Sequence, residues 1–267
     1  MRASRQPGKN TRFDYLMIVA TFHILITEAQ NDVAMTKVVT WNCNMAFRKK
    51  KDQILRYDPD ILVIQECESP GAKGDWSEFS DWIWVGEDEH KGLGIFSRNG
   101  ISLEPGNVSG AGGRFSVPVA TDTSIDVLGV WAMNDKQNPE NRYISQVYTA
   151  LRDYYEWIDS DTVVVGDFNW NVVWDDSRKS PLRGDFSDTV GILNGCGLRS
   201  GYHAVTDSEF GDEDTPTFYM HKKQDRPYHI DYIFAPDREA GSTAEIIVGK
   251  YDDWIEASDH MPVMMSV

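Results

Sequence analysis

Short runs of apolar residues recur along the chain, each bounded by polar or turn-forming residues. Val38–Trp41, Ile61–Ile64 and Val163–Val165 are continuous and rich in β-branched side chains. Runs of this length without a polar interruption are typical of strands buried on both faces. Similar patterns predict further strands over 82–85, 93–96, 115–120, 125–131, 217–220, 229–234, 244–249 and 262–267, and extend the third run to 162–167.

Three other segments repeat their apolar residues at helical spacing. The longest, 139–158, has Asn138 at the cap position and Pro139 at the first helical position, a combination common where helices begin. Shorter helices are predicted over 46–58 and 185–196. Because strands outnumber helices and many follow one another directly, the pattern favours mixed β-sheets over a purely parallel one, within an α/β fold.

Residues 1–35 differ in character from the rest. Four basic residues precede the apolar run Leu16–Ile26, which resembles a secretory signal peptide and is too short to span a bilayer. The interpretation that we favour is a dispensable extension from a non-native start, because a strand follows Met35 at once. We therefore expect one domain over 36–267 in a cytoplasmic protein without a membrane span, or a secreted protein if residues 1–29 are a signal peptide.

Composition and charge narrow the class of ligand. The chain has 267 residues, of which 41% are hydrophobic, so it is neither a disordered tail nor a fibre. The cysteines Cys43, Cys67 and Cys196 show no C-x-x-C spacing, which argues against a disulfide framework or a cysteine zinc site. Proteins that coat nucleic acid usually carry positive charge, whereas this chain has a net charge of −16. Any phosphate ligand must therefore be attracted locally.

Polar side chains suited to metal and phosphate binding stand at the ends of the predicted strands. Such ends meet at one edge of a sheet, where α/β folds place their ligands. Carboxylates are preferred ligands of Mg²⁺ and Mn²⁺, and amides and protonated imidazoles donate to phosphate oxygens. Metal-assisted hydrolysis of a phosphoester uses all of these groups. The candidates are Asn42, Glu66, Asp167, Asn169, Asp231, Asp259 and His260.

Five short motifs contain these residues in a fixed order. They are W-N at 41–42, P-D-I-L-V-I-Q-E at 59–66, G-D-F-N at 166–169, H-I-D-Y-I-F at 229–234 and S-D-H-M-P-V at 258–263. This order resembles the endonuclease/exonuclease/phosphatase superfamily, which includes abasic-site endonucleases and deoxyribonuclease I-like metal-dependent phosphoesterases. The resemblance extends over about 36–267. It implies the family fold, a four-layer α-β-β-α sandwich of two mixed β-sheets flanked by helices.

The resemblance also implies a metal site. Glu66 would be the principal metal-binding carboxylate, with Asn42 close by and Asp259 as an additional carboxylate on the metal side. The ion would be Mg²⁺, with Mn²⁺ as the alternative.

The catalytic roles follow from the same resemblance. Asp167 would position or deprotonate the attacking water, and Asn169 would hold the phosphate. His260 would contact the scissile phosphate, with Asp231 orienting its ring. The reaction would be an in-line attack of water on phosphorus without a covalent enzyme intermediate.

Two positions depart from the family pattern. Trp131 stands where many relatives carry a histidine or tyrosine that donates to the phosphate, and an indole cannot act as an acid or a base. Trp131 either packs in the core or stacks on the substrate, and Arg142 or Tyr143 would then bind the substrate as the missing donor. Asn44 stands where abasic-site enzymes tend to carry aspartate, which disfavours that subfamily.

The sequence thus predicts a Mg²⁺-dependent phosphoester hydrolase, and first of all a nuclease-like phosphodiesterase. Its acidity predicts that DNA or RNA would be held weakly, and we expect a monomer. One alternative is a phosphatase or phospholipase that acts on a small phosphorylated molecule or a lipid. Another is a non-catalytic member that binds phosphate ligands, against which the presence of Glu66, Asp167 and His260 argues.

Overall fold

The structure is a computed structural model that describes residues 35–108, 112–176, 182–238 and 245–267. Apart from Met35, the predicted N-terminal extension lies outside the described residues. Its interpretation as a signal peptide or a dispensable start therefore stays a prediction. Among the described residues, no helix combines the length and the apolar character needed to cross a bilayer.

The described chain consists of strands, of which β2 to β7 follow one another directly, and of short helices. The strands are β1 (Lys37–Asn42), β2 (Ile61–Cys67), β3 (Asp81–Asp88), β4 (Lys91–Ser97), β5 (Leu103–Pro105), β6 (Ser116–Thr121), β7 (Asp126–Trp131), β8 (Thr162–Asp167), β9 (Leu198–Ser200), β10 (Phe218–Tyr219), β11 (Pro227–Tyr228), β12 (Asp231–Pro236), β13 (Ile246–Val248) and β14 (Val263–Ser266). The α-helices are α1 (Lys51–Leu55), α2 (Ile144–Asp153), α3 (Phe186–Gly195), α4 (Gly201–Thr206) and α5 (Tyr251–Trp254). Short 3₁₀ turns occur at Phe47–Lys49, Pro139–Asn141, Val172–Trp174 and Met220–Lys222.

Twelve of these strands form two six-stranded sheets. The first sheet has the order β13-β14-β1-β2-β4-β3, and the second has the order β5-β6-β7-β8-β12-β9. The pairs β1–β2 and β7–β8 are parallel, and the other pairs within the two sheets are antiparallel. Both sheets are therefore mixed, as predicted.

Alternation along the strands explains the layers. Val38 and Val63 belong to the apolar core between the sheets, whereas their neighbours Val39 and Leu62 belong to a core on the outer face of the first sheet. The outer face of the second sheet packs in the same way against α2 and α3. A strand that is buried on both faces must be apolar at consecutive positions, which is the pattern that the sequence shows. The predicted α-β-β-α sandwich is thus confirmed.

The first and last strands of the described domain are neighbours inside the first sheet. β14 lies between β13 and β1 and pairs with β1 in antiparallel fashion. The backbones of Thr36 and Val267 exchange two hydrogen bonds, with N···O distances of 2.6 and 2.9 Å. This pairing brings Asn42, at the end of β1, next to the segment that precedes β14.

The prediction of a helix over 46–58 is wrong for most of that segment. Asn44–Ala46 have positive φ angles, a 3₁₀ turn follows, and only α1 is α-helical. The carboxylate of Glu68 accepts hydrogen bonds from the backbone N–H groups of Phe47 and Arg48, at 2.8 and 3.2 Å. This long-range contact fixes the turn against β2, so the local helical pattern is overridden.

The helix predicted over 139–158 is shorter than expected. Pro139 begins a 3₁₀ turn, and the side chain of Asn138 makes no capping hydrogen bond. Tyr143, at φ 52°, separates that turn from α2, and its backbone N–H donates to the carbonyl of Met133 at 2.7 Å. The chain is therefore tied to the segment after β7 before the helix begins.

Several strand predictions are correct in position, with shifted ends. The strand predicted over 229–234 begins at Asp231 and continues to Pro236. The strands β5 and β9 and the helices α4 and α5 were not predicted. Each has only three to six residues, which is too short to show a periodic pattern.

Candidate active site

The candidate site lies where an edge of one sheet meets an edge of the other. On the second sheet, Trp131, Asp167 and Asp231 are direct cross-strand neighbours on β7, β8 and β12. On the first sheet, Asn42 ends β1 and pairs with Gln65 of β2. Because β1, β7 and β8 end at this edge and β12 begins there, the polar strand ends are gathered in one place.

Asn42 and Asp167 join the two sheets directly. The side-chain amide of Asn42 donates to Oδ2 of Asp167 at 3.1 Å. Oδ1 of Asp167 accepts from the backbone N–H of Asn169 at 2.8 Å, and Asn169 has φ 50°. The backbone N–H of Asn44 donates to Oδ1 of Asn42 at 3.2 Å, which fixes the orientation of the amide. The fully buried carboxylate of Asp167 is therefore held at both oxygens.

His260 and Asp231 form a second buried pair. Nδ1 of His260 lies 3.0 and 3.2 Å from the two carboxylate oxygens of Asp231. The indole N–H of Trp41 donates to the carbonyl of His260 at 3.0 Å, and the ring of Phe218 packs on the imidazole at 4.6 Å. The hydroxyl of Thr217 accepts from the backbone N–H of Asp231 at 3.0 Å. Since Nδ1 is engaged by Asp231, Nε2 is the nitrogen that can serve a ligand.

Burial and charge set the protonation of this cluster. Burial raises the pKa of Asp167 to about 7; the nearby Asp231 carboxylate acts in the same direction, and the His260 cation opposes both. Burial by itself lowers the pKa of His260, but the carboxylates of Asp231 and Asp167 outweigh it and raise the pKa to about 10. His260 is therefore protonated at neutral pH and compensates the buried carboxylates.

Glu66, the predicted principal metal ligand, stands at an irregularity in β2. The register between β2 and β4 shifts between Gln65 and Cys67, and Glu66 has φ 58°. A bulge of this kind re-aims a side chain that a regular strand would point elsewhere. The carboxylate of Glu66 is 21% exposed and lies 3.0 Å from Nζ of Lys91. Glu66, like Asp259, is therefore a partly exposed carboxylate, whereas Asp167 and Asp231 are fully buried.

Among the described residues, one group of three acidic or histidine side chains could hold a metal ion by proximity alone. One ligand atom from each of Asp167, Asp231 and His260 lies within 4.8 Å of the others. The group is buried, and Nδ1 of His260 is already hydrogen bonded to Asp231. Its opposite charges also compensate one another, so the chemistry of this set fits a metal ion poorly.

The predicted metal ligands fit a hard divalent cation better. Glu66, Asn42 and Asp259 offer only oxygen atoms, which suits Mg²⁺, an ion that retains several waters and takes one or two carboxylates. Oδ1 of Asp259 lies 3.4 Å from the side-chain nitrogen of Asn44, which in turn contacts Asn42 through its backbone. Asn44 thus joins Asp259 to Asn42, two of the three predicted ligands. The role of all three ligands in metal binding stays a prediction.

Trp131 is buried beside the site. Its side chain is 3% exposed, and its ring lies 4.8 Å from that of Phe115. Nζ of Lys91 lies 5.3 Å from the centroid of the Trp131 ring. Of the two expectations for Trp131, packing in the core agrees with this burial, whereas stacking on a substrate would need the ring to become exposed.

The two other predicted substrate-binding residues are Arg142 and Tyr143, which precede α2. Tyr143 packs against Trp170 with ring centroids 6.0 Å apart. Nε of Arg142 is buried without a hydrogen-bond partner. Within the described residues, no hydrogen bond or ring contact joins either one to Asp167 or His260. Their role as phosphate donors stays a prediction.

Three residues with a part in the site were not singled out from the sequence. Ser258 donates to the carbonyl of Asn42 at 2.7 Å and accepts from the backbone N–H of His260 at 3.0 Å, so it ties the two loops together. Ser258 could have been identified from the sequence, because it directly precedes Asp259 and His260 in the S-D-H motif. Lys91 and Phe218 gave no local signal, because their positions depend on strand pairing.

Many solved structures share the fold, and three of them serve as examples. The 3' phosphatase NExo from Neisseria, bound to a product DNA hairpin, is 19% identical, with 87% of this chain and 99% of that chain covered and a TM-score of 0.64. An AP endonuclease from Archaeoglobus fulgidus is 19% identical, with 86% and 98% covered and a TM-score of 0.63. D. rerio TDP2, complexed with a single strand DNA product, is 14% identical, with 87% and 98% covered and a TM-score of 0.57. At these identities the likeness shows the fold.

The family is shown by the sequence itself. No curated protein sequence matches the chain significantly. The profile of the Endonuclease/Exonuclease/phosphatase family, however, matches residues 39–260, which include every predicted site residue. The chain therefore belongs to the Endonuclease/Exonuclease/phosphatase family and is a phosphoester hydrolase.

Proposed function

We propose that this hydrolase is a Mg²⁺-dependent phosphodiesterase of the nuclease type. The observation that supports it best is the arrangement of Asp167 and His260. Asp167 ends β8 of the second sheet and His260 lies in the segment before β14 of the first sheet. Each is held by its own hydrogen bonds, and one polar atom of each lies within 4.8 Å of the other. A phosphate beside this pair would have the oriented carboxylate as a base for the attacking water and the protonated imidazole as a hydrogen-bond donor.

The proposed reaction is the displacement of the leaving oxygen by water. Asp167 orients the water and takes its proton as the water oxygen bonds to phosphorus. The bond between phosphorus and the leaving oxygen breaks on the opposite side. Asn169 holds the phosphate, and Nε2 of His260 donates to a non-bridging oxygen, where negative charge increases in the transition state.

Glu66, Asn42 and Asp259 are the proposed ligands of the ion. The accessible carboxylate at the β2 bulge is suited to a cation that arrives with its water shell. When bound, Mg²⁺ supplies positive charge that neutralises the charge developing on the phosphate and the leaving oxygen.

DNA is the first substrate class to test. Two of the similar structures contain a DNA product, a hairpin in NExo and a single strand in D. rerio TDP2. The net charge of −16 argues against a long electrostatic footprint on duplex DNA. We therefore expect a few local contacts around one phosphate, such as those near the end of a strand.

The proposal is tested by turnover assays on the purified full chain with Mg²⁺, Mn²⁺ or EDTA. The substrates are duplex, single-stranded and abasic DNA, RNA, a 3'-phosphorylated oligonucleotide, a phosphoinositide and an aryl phosphodiester. Asp167→Asn and His260→Ala should each lower kcat about 100-fold or more, because each removes a group that acts on the transition state. The matched control is Asp207→Asn, since Asp207 is an exposed aspartate at the C-terminal end of α4.

The outcomes separate the candidate functions. Metal-dependent cleavage of a nucleic acid that both site variants lose, and that Asp207→Asn keeps, would support the proposal. If the chain hydrolyses only the phosphoinositide or the 3'-phosphorylated oligonucleotide, the protein is a phosphatase and the proposal of a phosphodiesterase is wrong. Turnover that survives Asp167→Asn and His260→Ala would contradict the proposed site.

A further inference from the structure

Lys91 lies beside Glu66, the partly exposed carboxylate at the β2 bulge. Its Nζ is 3.0 Å from Oε1 of Glu66 and 5.3 Å from the centroid of the Trp131 ring. The three residues belong to β4, β2 and β7, so this one ammonium group contacts both sheets. A cation over an indole face is attracted by the negative face of the ring. The ammonium is therefore held by two partners of different kinds.

Backbone hydrogen bonds hold the hairpin that carries Lys91. The carbonyl of Glu89, in the turn between β3 and β4, accepts a hydrogen bond from the backbone N–H of Ser69 at 2.9 Å. This hydrogen bond and the antiparallel pairing of β3 with β4 fix the backbone of the hairpin. Only the four-carbon stem of Lys91 then needs to move for its ammonium to change partners.

The ion pair between Lys91 and Glu66 is open to exchange. The side chain of Lys91 is 37% exposed and that of Glu66 is 21% exposed, so water screens their attraction. A divalent cation carries twice the charge of an ammonium group and binds oxygen directly. Such an ion would take Glu66 and leave the ammonium free within reach of the site.

We propose that the Lys91 ammonium has two partners in turn: the Glu66 carboxylate when no metal ion is bound, and a non-bridging phosphate oxygen of the substrate when Glu66 binds a metal ion. In the second position Lys91 supplies a charged donor, which the buried indole of Trp131 is not. The exchange at Glu66 requires only that Glu66 binds a metal ion. The contact with phosphate rests on the proposed function.

The test uses the full chain with Lys91→Met, Lys91→Arg and a matched control, Lys37→Met. Lys37 is also the first residue of a strand, is 40% exposed and lies 4.0 Å from a carboxylate oxygen of Asp58. Two equilibrium measurements need no turnover. One is the binding of Mn²⁺ alone, followed by the electron paramagnetic resonance of the free ion. The other is the binding of inorganic phosphate in saturating Mg²⁺, measured by equilibrium dialysis.

Lys91→Met should bind Mn²⁺ about 2- to 5-fold more tightly than the unchanged chain, because no ammonium competes for Glu66. It should bind phosphate about 10-fold more weakly, because a charge-assisted hydrogen bond is lost. Lys91→Arg should retain phosphate binding, and Lys37→Met should change neither constant. Unchanged or weaker Mn²⁺ binding by Lys91→Met would overturn the exchange at Glu66, and unchanged phosphate binding would overturn the second position.

The turnover assay keeps this inference separate from the proposed function. If the unchanged chain hydrolyses none of the substrates while both binding constants shift as expected, the proposed function fails and the role of Lys91 stands. If the chain is active and neither constant shifts, only the role of Lys91 fails. The unfolding midpoints of the variants show whether a change in binding comes from a folding defect. If Lys91→Met is unstable, the phosphate binding of Lys91→Arg still tests the role of the positive charge.

Discussion

At the scale of single residues, a second buried polar cluster stabilises the segment between α4 and β10. Nε2 of His203 lies 3.2 Å from Glu213, and the side-chain amide of Asn171 donates to both oxygens of Glu213, at 3.1 and 3.2 Å. The side chain of Glu213 is 4% exposed. Burial alone would raise the pKa of Glu213, but the hydrogen bond from His203 and the other donors outweigh it and lower the pKa to about 2.

This shift predicts a loss of stability in acid. A carboxylate whose folded pKa is depressed contributes stability that is present above its unfolded pKa, near 4.5, and is lost as the pH falls toward 2. Glu213→Gln should therefore lower the free energy of unfolding by about 2 kcal/mol at pH 7. The difference from the unchanged chain should shrink below about pH 4.5. Urea unfolding from pH 7 to pH 3 measures it, and a difference independent of pH would contradict the assignment.

The residues of the site that the sequence predicted share one property. Asp167, Asp231 and Asn42 stand at strand ends inside short motifs, so their order along the chain and the sheet topology together imply that they meet. Lys91 stands at the start of a strand as well, but its partner Glu66 is aimed by a bulge. A local sequence pattern does not reveal the register shift between neighbouring strands that creates a bulge.

At the scale of elements, the end of β8 depends on one glycine. Gly166 precedes Asp167 with φ 151°, and a Cβ atom there would lie 1.9 Å from the carbonyl oxygen of Val130 on the neighbouring strand. A side chain at this position would therefore separate β7 from β8, or rotate the peptide that carries Asp167.

Gly166→Ala should be strongly destabilising, by about 3 kcal/mol or more, because a backbone clash cannot be relieved by a rotamer change. The matched control is Gly191→Ala in α3, where a Cβ atom would meet nothing within 4 Å. That change should stabilise the chain by about 0.5–1 kcal/mol through helix propensity. Denaturant midpoints measure both changes, and a Gly166→Ala protein as stable as the unchanged chain would contradict the strand-end geometry.

Strands were predicted better than helices, and the reason is physical. Burial on both faces leaves a continuous apolar run in the sequence, so Ile61–Ile64 could be located from the chain alone. The helix predicted over 46–58 failed because Glu68, from outside that segment, binds the amides of its would-be first turn. Contacts of this kind depend on the tertiary fold and leave no periodic pattern.

At the scale of the whole molecule, the acidity limits how nucleic acid can bind. With a net charge of −16, we expect most of the surface to repel a polyanion and attraction to be confined to the proposed metal site and a few donors. For binding to single-stranded DNA, the slope of log K against log salt should then be no steeper than about −2, which corresponds to two or three phosphate contacts. Fluorescence anisotropy between 50 and about 300 mM salt, with Ca²⁺ in place of Mg²⁺, measures the slope. A slope near −5 would reveal an extended basic footprint.

The pairing of β1 with β14 has a consequence for the synthesis of the protein on the ribosome. β1 emerges early, but its partner β14 and the catalytic candidate His260 emerge among the last residues of the described domain. The hydrogen bond from Trp41 to His260 and the contact between Asn42 and Ser258 therefore cannot form until translation of the domain is nearly complete. A nascent chain that stops before residue 258 lacks Asp259 and His260, so the enzyme should become active only when β14 has closed the first sheet.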